Sequence, residues 1–327
     1  MINSAKLRDL TNLELKPIRD GFGEGFTAIG AKNPEVVGLC ADLTESVRMA
    51  DFERQFPERF FQVGICEQNM AGVAVGLALS GKIPYIGSFA TFSPGRNYDQ
   101  IRISVCMMNS NVKIVSSHAG LSHGEDGMTV QMLEDVALMR ALPNMKVIVP
   151  ADSQQAMQAA MTIADIPGPV YLRLGRSPTP VLFDESDEFE FGKIQQLRPG
   201  TDLTIFASGY LVFRSLLAAD ALAKKGINAQ VINVHTIKPL DEQGIIEAAS
   251  QTGAVVTAEE SQIYGGLGGA VAETLGKNLP LPLEMVAVMD RFGQSGSSLE
   301  LSKARNIMED DVFNAAMRVF SRKHNKA

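Results

Sequence analysis

The chain has 327 residues, 45% hydrophobic and 20% charged, which is typical of a globular protein with enough apolar residues for two domain cores. Its formal net charge is −7 at pH 7 and no basic stretch offsets it, which excludes nucleic acid and anionic membrane surfaces as partners but not anionic small molecules held by a few arginines. The longest apolar run, residues 71–78, is far shorter than the roughly 20 residues that cross a bilayer, so no membrane span is expected.

Helix-like and strand-like segments alternate along the first half of the chain. Ile18, Phe22, Phe26 and Ile29 recur at helical spacing, and the apolar stretch 35–40 that follows predicts a strand. Further strands are predicted at 60–63, 83–89, 112–117, 145–149 and 170–174, and further helices at 67–79, 97–108, 130–140 and 153–164. Strands separated by helices need crossover connections, which predicts an α/β domain with a mostly parallel sheet covered on both faces.

The composition changes between residues 176 and 200. Pro178 and Pro180 precede an acidic stretch, residues 184–190, which we interpret as solvated surface. We therefore predict a domain over residues 1–176, a linker over 177–200 and a second domain over 201–327. Strands predicted in the second domain lie at 203–207, 229–234, 254–258 and 283–288, with helical segments between them, which indicates a second, smaller α/β domain.

The cysteines and the amino terminus bear on the cellular compartment. Cys40, Cys66 and Cys106 are widely spaced and odd in number, which fits neither a disulfide framework nor a metal motif. We interpret them as reduced, buried thiols. Residues 1–6 contain no apolar signal segment, and we therefore expect a cytoplasmic protein.

A single carboxylate, Glu67, stands at the start of an apolar helix, directly after a predicted strand end. In open parallel sheets such junctions bind ligands. A carboxylate at this position also interacts favourably with the helix dipole when no ligand is involved. Apolar neighbours are expected to desolvate Glu67 and raise its pKa, which suits proton exchange; these are Ile65, Cys66, Met70 and Val73.

This segment, Gly-Ile-Cys-Glu-Gln-Asn-Met, resembles the Gly-Ile-x-Glu-x-x-Met stretch of the transketolase family, whose glutamate hydrogen-bonds N1′ of the aminopyrimidine of thiamine diphosphate. The resemblance implies that Glu67 is a catalytic and cofactor-binding residue that promotes loss of the thiazolium C2 proton. Residues 41–46, Ala-Asp-Leu-Thr-Glu-Ser, are similar to the family's Ala-Asp-Leu-Thr-x-Ser. This implies that Asp42 lies near the cofactor and that Ser46 contacts the substrate phosphate.

Two further segments resemble the family. Residues 87–92, Gly-Ser-Phe-Ala-Thr-Phe, are similar to its aromatic segment, which implies that Phe92 stacks on the aminopyrimidine with Phe89 beside it. Phenylalanines at this spacing are also ordinary core residues. Residues 118–129 resemble the family's loop His-x-x-x-x-x-Gly-Glu-Asp-Gly-x-Thr, which implies that His118 is catalytic and meets the substrate phosphate and that Asp126 bonds a substrate hydroxyl.

Departures from the family concern three positions around these motifs. His123 is not assigned, because the family does not require histidine there. Gln68 and Val130 stand where ordinary transketolases have histidines. Valine can neither hydrogen-bond a hydroxyl nor transfer a proton, so either a different group completes the donor site or the ketose donor differs.

Several arginines match positions that bind anions in the family. Arg19 at a helix start and Arg173 at a strand end match family arginines, which implies that both clamp the substrate phosphate. Arg96, in Gly-Arg-Asn-Tyr-Asp-Gln, resembles instead the related deoxyxylulose phosphate synthases and is assigned to substrate binding on that basis. Any single arginine, however, more often forms a surface ion pair.

The metal motif of the family is missing. There, Gly-Asp-Gly and an asparagine further along a separate domain hold the Mg²⁺ of the cofactor. Here the next asparagine after Asp126 is Asn144, too close to serve. We therefore assign no metal ligand to this chain. The resemblance implies that thiamine diphosphate and Mg²⁺ are held through an N-terminal transketolase subunit that carries the diphosphate-binding domain, in an α2β2 heterotetramer.

The resemblance implies a C-terminal transketolase subunit that moves a two-carbon ketol unit between sugar phosphates. One alternative is the β subunit of a 2-oxo acid dehydrogenase, whose substrate has no distal phosphate to bind; this alternative is opposed by Arg19, Ser46, His118 and Arg173. A subunit similar to 1-deoxyxylulose-5-phosphate synthase is another. A third is a non-enzymatic paralogue, which Val130 favours and which retention of Glu67 opposes.

Overall fold

The helices and strands that the apolar pattern predicts are present in the predicted order, together with further elements that it does not predict. The structure, a computed structural model, describes residues 3–4 and 9–324, so that much of the amino-terminal segment interpreted above lies outside the described residues. The strands are β1 (Asn3–Ser4), β2 (Leu15–Pro17), β3 (Val36–Cys40), β4 (Phe60–Gln62), β5 (Ile83–Phe89), β6 (Lys113–Ser117), β7 (Lys146–Ile148), β8 (Val170–Arg173), β9 (Pro178–Pro180), β10 (Gln195–Arg198), β11 (Leu203–Ala207), β12 (Ala229–Asn233), β13 (Thr236–Lys238), β14 (Val255–Gln262) and β15 (Leu283–Val288). The α-helices are α1 (Ile18–Lys32), α2 (Ala50–Gln55), α3 (Glu67–Leu79), α4 (Tyr98–Gln100), α5 (Asp135–Ala141), α6 (Ser153–Thr162), α7 (Leu211–Ala223), α8 (Glu242–Thr252), α9 (Leu267–Asn278), α10 (Ser298–Ala304) and α11 (Glu309–His324).

The first sheet has seven strands in the order β13-β7-β8-β6-β5-β3-β4. All neighbours are parallel except β13, which runs antiparallel to β7. Alternate residues of β3 enter different cores: Val36 and Cys40 pack with the phenylalanines of α1, and Val37 and Leu39 pack on the side of α3. Apolar side chains on both faces explain why this sheet is covered by helices on both sides.

The second sheet has six strands in the order β1-β10-β12-β11-β14-β15, antiparallel only between β10 and β12. Helices α7 and α11 cover one face, and α8 and α9 cover the other. The chain therefore forms two α/β domains with mostly parallel sheets, which confirms the predicted fold class.

The segment 177–200 carries regular structure. Strand β9 pairs with β2, and β10 joins the second sheet. The acidic stretch is only partly a solvated surface, because Asp187 and Phe189 are buried while its glutamates are exposed. One apolar cluster runs from the first sheet through β13 and α8 to α9, so the two domains share a continuous core.

Local geometry explains two departures from the predicted elements. The helix predicted at 130–140 begins only at Asp135, because Gly120, Gly124 and Gly127 take left-handed φ angles of +79°, +87° and +83° and hold the preceding segment as a loop. The helix predicted at 97–108 is α4 followed by a π-helical segment, Ile101–Met107.

The cysteines are free thiols, but they are not all buried. Cys40 and Cys106 lie in the core, and burial raises the pKa of the Cys106 thiol to about 11. Cys66 is exposed, so the prediction of burial is wrong for this residue, which stands in the open turn before α3. Within the part of the chain that the structure describes, no helix has both the length and the apolar character needed to cross a membrane.

Candidate active site

The carboxyl ends of four neighbouring parallel strands meet at one edge of the first sheet. Asp42 follows β3, Glu67 begins α3 after β4, Phe89 ends β5 and His118 follows β6. Open parallel sheets bind their ligands beyond these strand ends. The fold therefore brings together side chains that are far apart in sequence.

Glu67 is a buried carboxylate at the first position of α3. Its side chain is 1% exposed, and Oε2 accepts a hydrogen bond from Arg96 Nη1 at 2.8 Å. The Asn97 side-chain amide donates to the Glu67 carbonyl oxygen at 3.1 Å, which fixes the start of the helix. Among the expected apolar neighbours only Met70 is buried, whereas the others are exposed: Ile65, Cys66 and Val73. The carboxylate thus lies beneath an open, apolar surface.

A row of rings connects Glu67 with the next strand end. The Arg96 guanidinium lies 4.5 Å from the centroid of the Phe92 ring, within cation–π distance. Phe92 stacks on Phe89 with centroids 5.8 Å apart, and Phe89 stacks on the His118 imidazole at 3.8 Å. These contacts form one continuous path from the buried carboxylate to His118.

His118 is a neutral hydrogen-bond acceptor. Its Nε2 lies 2.9 Å from Nη1 of Arg19, and because a guanidinium only donates, Nε2 accepts. The proton is therefore on Nδ1, which donates to Ser117 Oγ at 2.7 Å. Burial, with the adjacent Arg19 charge, lowers the pKa of His118 from 6.5 to about 2. The same Arg19 nitrogen also donates to the Ser46 carbonyl at 2.9 Å.

Arg48 and Arg176, two arginines that sequence reasoning missed, lie at this edge close enough to act on Arg19. Burial and the nearby Arg48 charge lower the pKa of Arg19 to about 10, with a smaller contribution from Arg176, so Arg19 stays charged at neutral pH. Arg48 is held by Asp20, with 2.6 Å between Nε and Oδ1. Arg176 lies three residues beyond Arg173, the last residue of β8, and the segment after a parallel strand is typical of ligand-binding residues, so this signal was available in the sequence.

Arg173 is placed differently from our expectation. Its guanidinium is 5% exposed, with Nε 2.8 Å from Asp135 Oδ2 and Nη2 donating to the Glu260 carbonyl at 2.9 Å. The Asp135 side chain is fully buried. This placement does not favour the prediction that Arg173 clamps a phosphate, because its Nε bonds a buried carboxylate and its Nη2 contacts the second domain. Arg176, whose side chain is 38% exposed, reaches the charged edge instead.

The loop after β6 brings an unassigned histidine into the site. His123 is fully buried; its Nδ1 lies 3.1 Å from the His118 carbonyl oxygen and its Nε2 lies 2.7 Å from Asp126 Oδ2. Its ring meets Phe89 edge to face, with centroids 5.4 Å apart. The Asp126 side chain is 60% exposed. A second histidine in this loop is visible in the sequence, but the family pattern gives it no role.

The loop that follows β3 is tied to β4. Asp42 has a left-handed φ of 61°, and its backbone N–H donates to Gln62 Oε1 at 2.7 Å. The Gln62 amide donates in turn to Thr44 Oγ1 at 2.8 Å. These bonds leave the Asp42 side chain exposed and position the loop whose Ser46 carbonyl holds Arg19.

Comparison with known proteins gives this arrangement a family. The chain matches "Transketolase, pyrimidine binding domain" over residues 16–181 and "Transketolase, C-terminal domain" over residues 192–312. The chain belongs to the transketolase family. This transketolase-family chain is 43% identical over 312 residues to the 6-deoxy-6-sulfo-D-fructose transketolase subunit SqwH of Clostridium sp. strain MSTE9, covering 95% of this chain and 97% of that protein. It is 44% identical over 307 residues to a putative transketolase C-terminal section of Methanocaldococcus jannaschii, covering 90% and 96%.

The structural comparison agrees. The fold aligns at a TM-score of 0.88 and 43% identity with a solved structure described as "Split gene transketolase, inactive beta4 tetramer", covering 94% of this transketolase-family chain and 99% of that one. The similarity to subunits of split transketolases extends over nearly the whole chain, in agreement with the predicted family relationship.

The residues present fit the aminopyrimidine half of the family's cofactor. Transketolases use thiamine diphosphate, and the buried Glu67 carboxylate beside Phe89 and Phe92 offers a hydrogen-bond partner and aromatic surface for an aminopyrimidine ring. Among residues 3–4 and 9–324, no cluster of three or more histidine, cysteine, aspartate or glutamate side chains is placed to hold a metal ion. The described part of the chain thus offers a site for the ring but no such cluster for the metal of a diphosphate.

Proposed function

We propose that this chain is the C-terminal subunit of a split transketolase, which transfers a two-carbon ketol unit from a ketose phosphate to an aldose phosphate. One observation carries the proposal: a single row of contacts joins the buried Glu67 carboxylate, through Phe92 and Phe89, to the His118–Arg19 pair. We assign cofactor activation to the Glu67 end of this row and phosphate binding to the Arg19 end.

At the cofactor end, thiamine diphosphate supplies the carbon nucleophile. When the cofactor is bound, Glu67 would bond a ring nitrogen of the aminopyrimidine, and Phe92 would stack on that ring with Phe89 beside it. Asp42 lies at the neighbouring strand end. Arg96 now donates to Glu67; its side chain is 47% exposed and would turn toward solvent or substrate when the ring takes its place at the buried carboxylate.

At the substrate end, the dianionic phosphate needs fixed donors. Arg19 is positioned by Ser46 and His118, and Arg48 and Arg176 add charge to the same edge. Planar guanidinium groups suit bidentate binding of phosphate oxygens. This concentration of cations in a chain with a net charge of −7 favours a sugar phosphate over a 2-oxo acid.

The diphosphate and Mg²⁺ are assigned to a second, N-terminal subunit. The relatives described as a subunit, a C-terminal section and an inactive β tetramer support the need for such a partner. Exposed apolar residues along β4, α3 and the turn between them support it too, because a surface of this kind marks a contact with another protein; these are Phe61, Ile65, Val73 and Leu79. We propose an α2β2 heterotetramer.

The test is a donor screen with the reconstituted holoenzyme. The chain is co-purified with the candidate N-terminal subunit, supplied with thiamine diphosphate and Mg²⁺, and assayed for two-carbon transfer by mass spectrometry. Ketose phosphates paired with aldose phosphates are expected to react. Glu67→Ala should abolish most turnover without disturbing assembly, whereas Glu58→Gln, an exposed control, should have no effect.

Other outcomes point to other functions. Reaction of a 2-oxo acid with a lipoyl carrier would indicate the dehydrogenase subunit, and decarboxylative condensation of pyruvate with an aldose phosphate would indicate a deoxyxylulose phosphate synthase. Because one relative acts on 6-deoxy-6-sulfo-D-fructose, this sulfonate is included as a donor. Turnover with none of these donors would contradict the proposed function.

A further inference from the structure

The His123–Asp126 pair lies inside the site and has no assigned role as a unit. His123 stands where the family does not require histidine, and Val130 stands where it has one. Val130 is only half-buried and its side chain has neither a donor nor an acceptor. The imidazole that the loop lacks at position 130 is thus present seven residues earlier, fully buried beside Phe89 and His118.

The hydrogen bonds of His123 determine where its protons lie. A carbonyl oxygen only accepts, so Nδ1, 3.1 Å from the His118 carbonyl, carries a proton. Nε2 faces the Asp126 carboxyl group at 2.7 Å. This contact also needs a proton, which is carried either by Nε2 of an imidazolium or by the carboxyl group. The pair therefore holds one proton between Nε2 and Oδ2.

The surroundings fix the imidazole but leave the carboxyl group accessible. The His123 carbonyl accepts from Arg176 at 2.9 Å, and the preceding Ser122 bonds the Glu260 carboxyl group through its N–H at 2.5 Å. The side chain of His123 is 0% exposed and that of Asp126 is 60% exposed. A buried, fixed ring that bonds an exposed carboxyl group is suited to orienting that carboxyl group toward a ligand.

We propose that His123 and Asp126 form a proton-sharing dyad that performs, for this chain, the hydrogen bonding and proton transfer for which Val130 is unsuited. The proposal rests on the proposed transketolase function. Asp126 contacts the hydroxyl group of the ketose whose oxygen becomes the aldehyde carbonyl, and His123 is the positioning residue behind it.

The proton balance of the dyad closes over one transfer cycle. When the C–C bond of the donor breaks, the hydroxyl proton passes to the Asp126 carboxyl group. Nε2 and the carboxyl group then hold two protons between them, as imidazolium and carboxylic acid, while Nδ1 keeps its own proton. When the new C–C bond forms, the acceptor's carbonyl oxygen takes one proton back as a hydroxyl group. No other reactant is required.

The first test needs no turnover. In the isolated chain, long-range ¹H–¹⁵N spectra of the four histidines are expected to show a protonated Nδ1 for His123 and an Nε2 signal that moves when Asp126→Asn replaces the shared-proton partner. His118, which does not bond Asp126, should move less. An His123 Nε2 signal that is unaffected by Asp126→Asn would overturn the dyad, whatever reaction the enzyme catalyses.

The second test separates positioning from packing in the holoenzyme. His123→Gln keeps a donor near Asp126 but cannot share a proton, and a fall in kcat of roughly 10²-fold with little change in KM is expected. Asp126→Asn should lower kcat similarly, and the double variant should be no worse than the poorer single variant, since the residues act as a unit. His324→Gln, on the exposed end of α11, is the matched control.

Thermal unfolding of each variant guards against loss of structure. Additive losses in the double variant, or a rise in KM with kcat unchanged, would overturn the proposal. A wild-type enzyme that is inactive with every sugar donor would instead contradict the proposed function, while the spectra would still report whether the two residues share a proton.

Discussion

Replacing Arg173 by methionine separates a structural ion pair from a phosphate clamp. The variant leaves the Asp135 carboxylate, whose side chain is 0% exposed, with the Tyr171 hydroxyl but without its cation. Breaking a buried pair by removing one partner costs about 3–5 kcal/mol, because an uncompensated charge stays buried. This cost of about 3–5 kcal/mol includes the loss of the hydrogen bond that Arg173 donates to the Glu260 carbonyl oxygen. A fall in the melting temperature on the order of 10 °C is expected.

The double variant Arg173→Met/Asp135→Asn is the control. It removes both charges while the asparagine oxygen still accepts from Tyr171, and about 2 kcal/mol of the loss should return. Stability is measured by urea unfolding, and KM for a ketose phosphate is measured in the holoenzyme. The double variant is expected to have the same KM for the ketose phosphate as the wild type. Normal stability of Arg173→Met together with a raised KM would refute the reasoning and restore Arg173 as a phosphate ligand.

Three further predictions concern charge and accessibility. Burial raises the pKa of Glu260 from 4.5 to about 7. The stabilisation from its protonated form is therefore complete below pH 4.5 and is lost as the pH rises through 7. Between pH 5 and 8 the free energy of unfolding in urea should fall by up to about 3 kcal/mol more for the wild type than for Glu260→Gln. Arg19→Met should raise KM for phosphorylated donors by 10-fold or more but not for an unphosphorylated ketose, and an equal rise for both would contradict the phosphate-binding edge. In the folded chain Cys66 should react with a maleimide while Cys40 and Cys106 stay protected, and binding of the N-terminal subunit should slow the reaction of Cys66. Labelling is measured by mass spectrometry, and equal labelling of all three thiols would contradict the difference in exposure.

Periodicity predicted most of the first domain because its elements are long and strongly apolar. The helix over Glu67–Leu79 and the strand over Ile83–Phe89 have the predicted bounds. The pairing of β13 with the edge of the first sheet was not predictable, because a three-residue strand has no period and its partner is chosen by tertiary packing. Residues 130–134, between the glycine loop and α5, were mistaken for helix because their apolar residues mimic helical spacing.

Motifs predict which residues belong to the site, but they do not show which side chains are taken up by the core. Arg173 ends β8 and Arg176 lies three residues beyond it, and only the buried Asp135, 38 residues before Arg173 in sequence, shows which of the two arginines is taken up by structure. His123 was passed over because a family pattern describes what relatives share, whereas its role here follows from the contacts of its two ring nitrogens. The roles of the remaining site residues stay predictions until tested.

The position of Glu67 links cofactor binding to assembly. Its carboxylate is buried, yet the outer face of α3 above it is apolar and open: Val73 and Leu79 are exposed, and a Cβ added at Gly72 or Gly76 would meet no atom within 4 Å. Because glycines have no side chain, another helix can approach this face closely at Gly72 and Gly76. In the proposed assembly, the N-terminal subunit that brings the diphosphate site would cover this face and exclude water from the cofactor-binding edge. Subunit association would thus close the cofactor site, and the isolated chain would have no means of completing it.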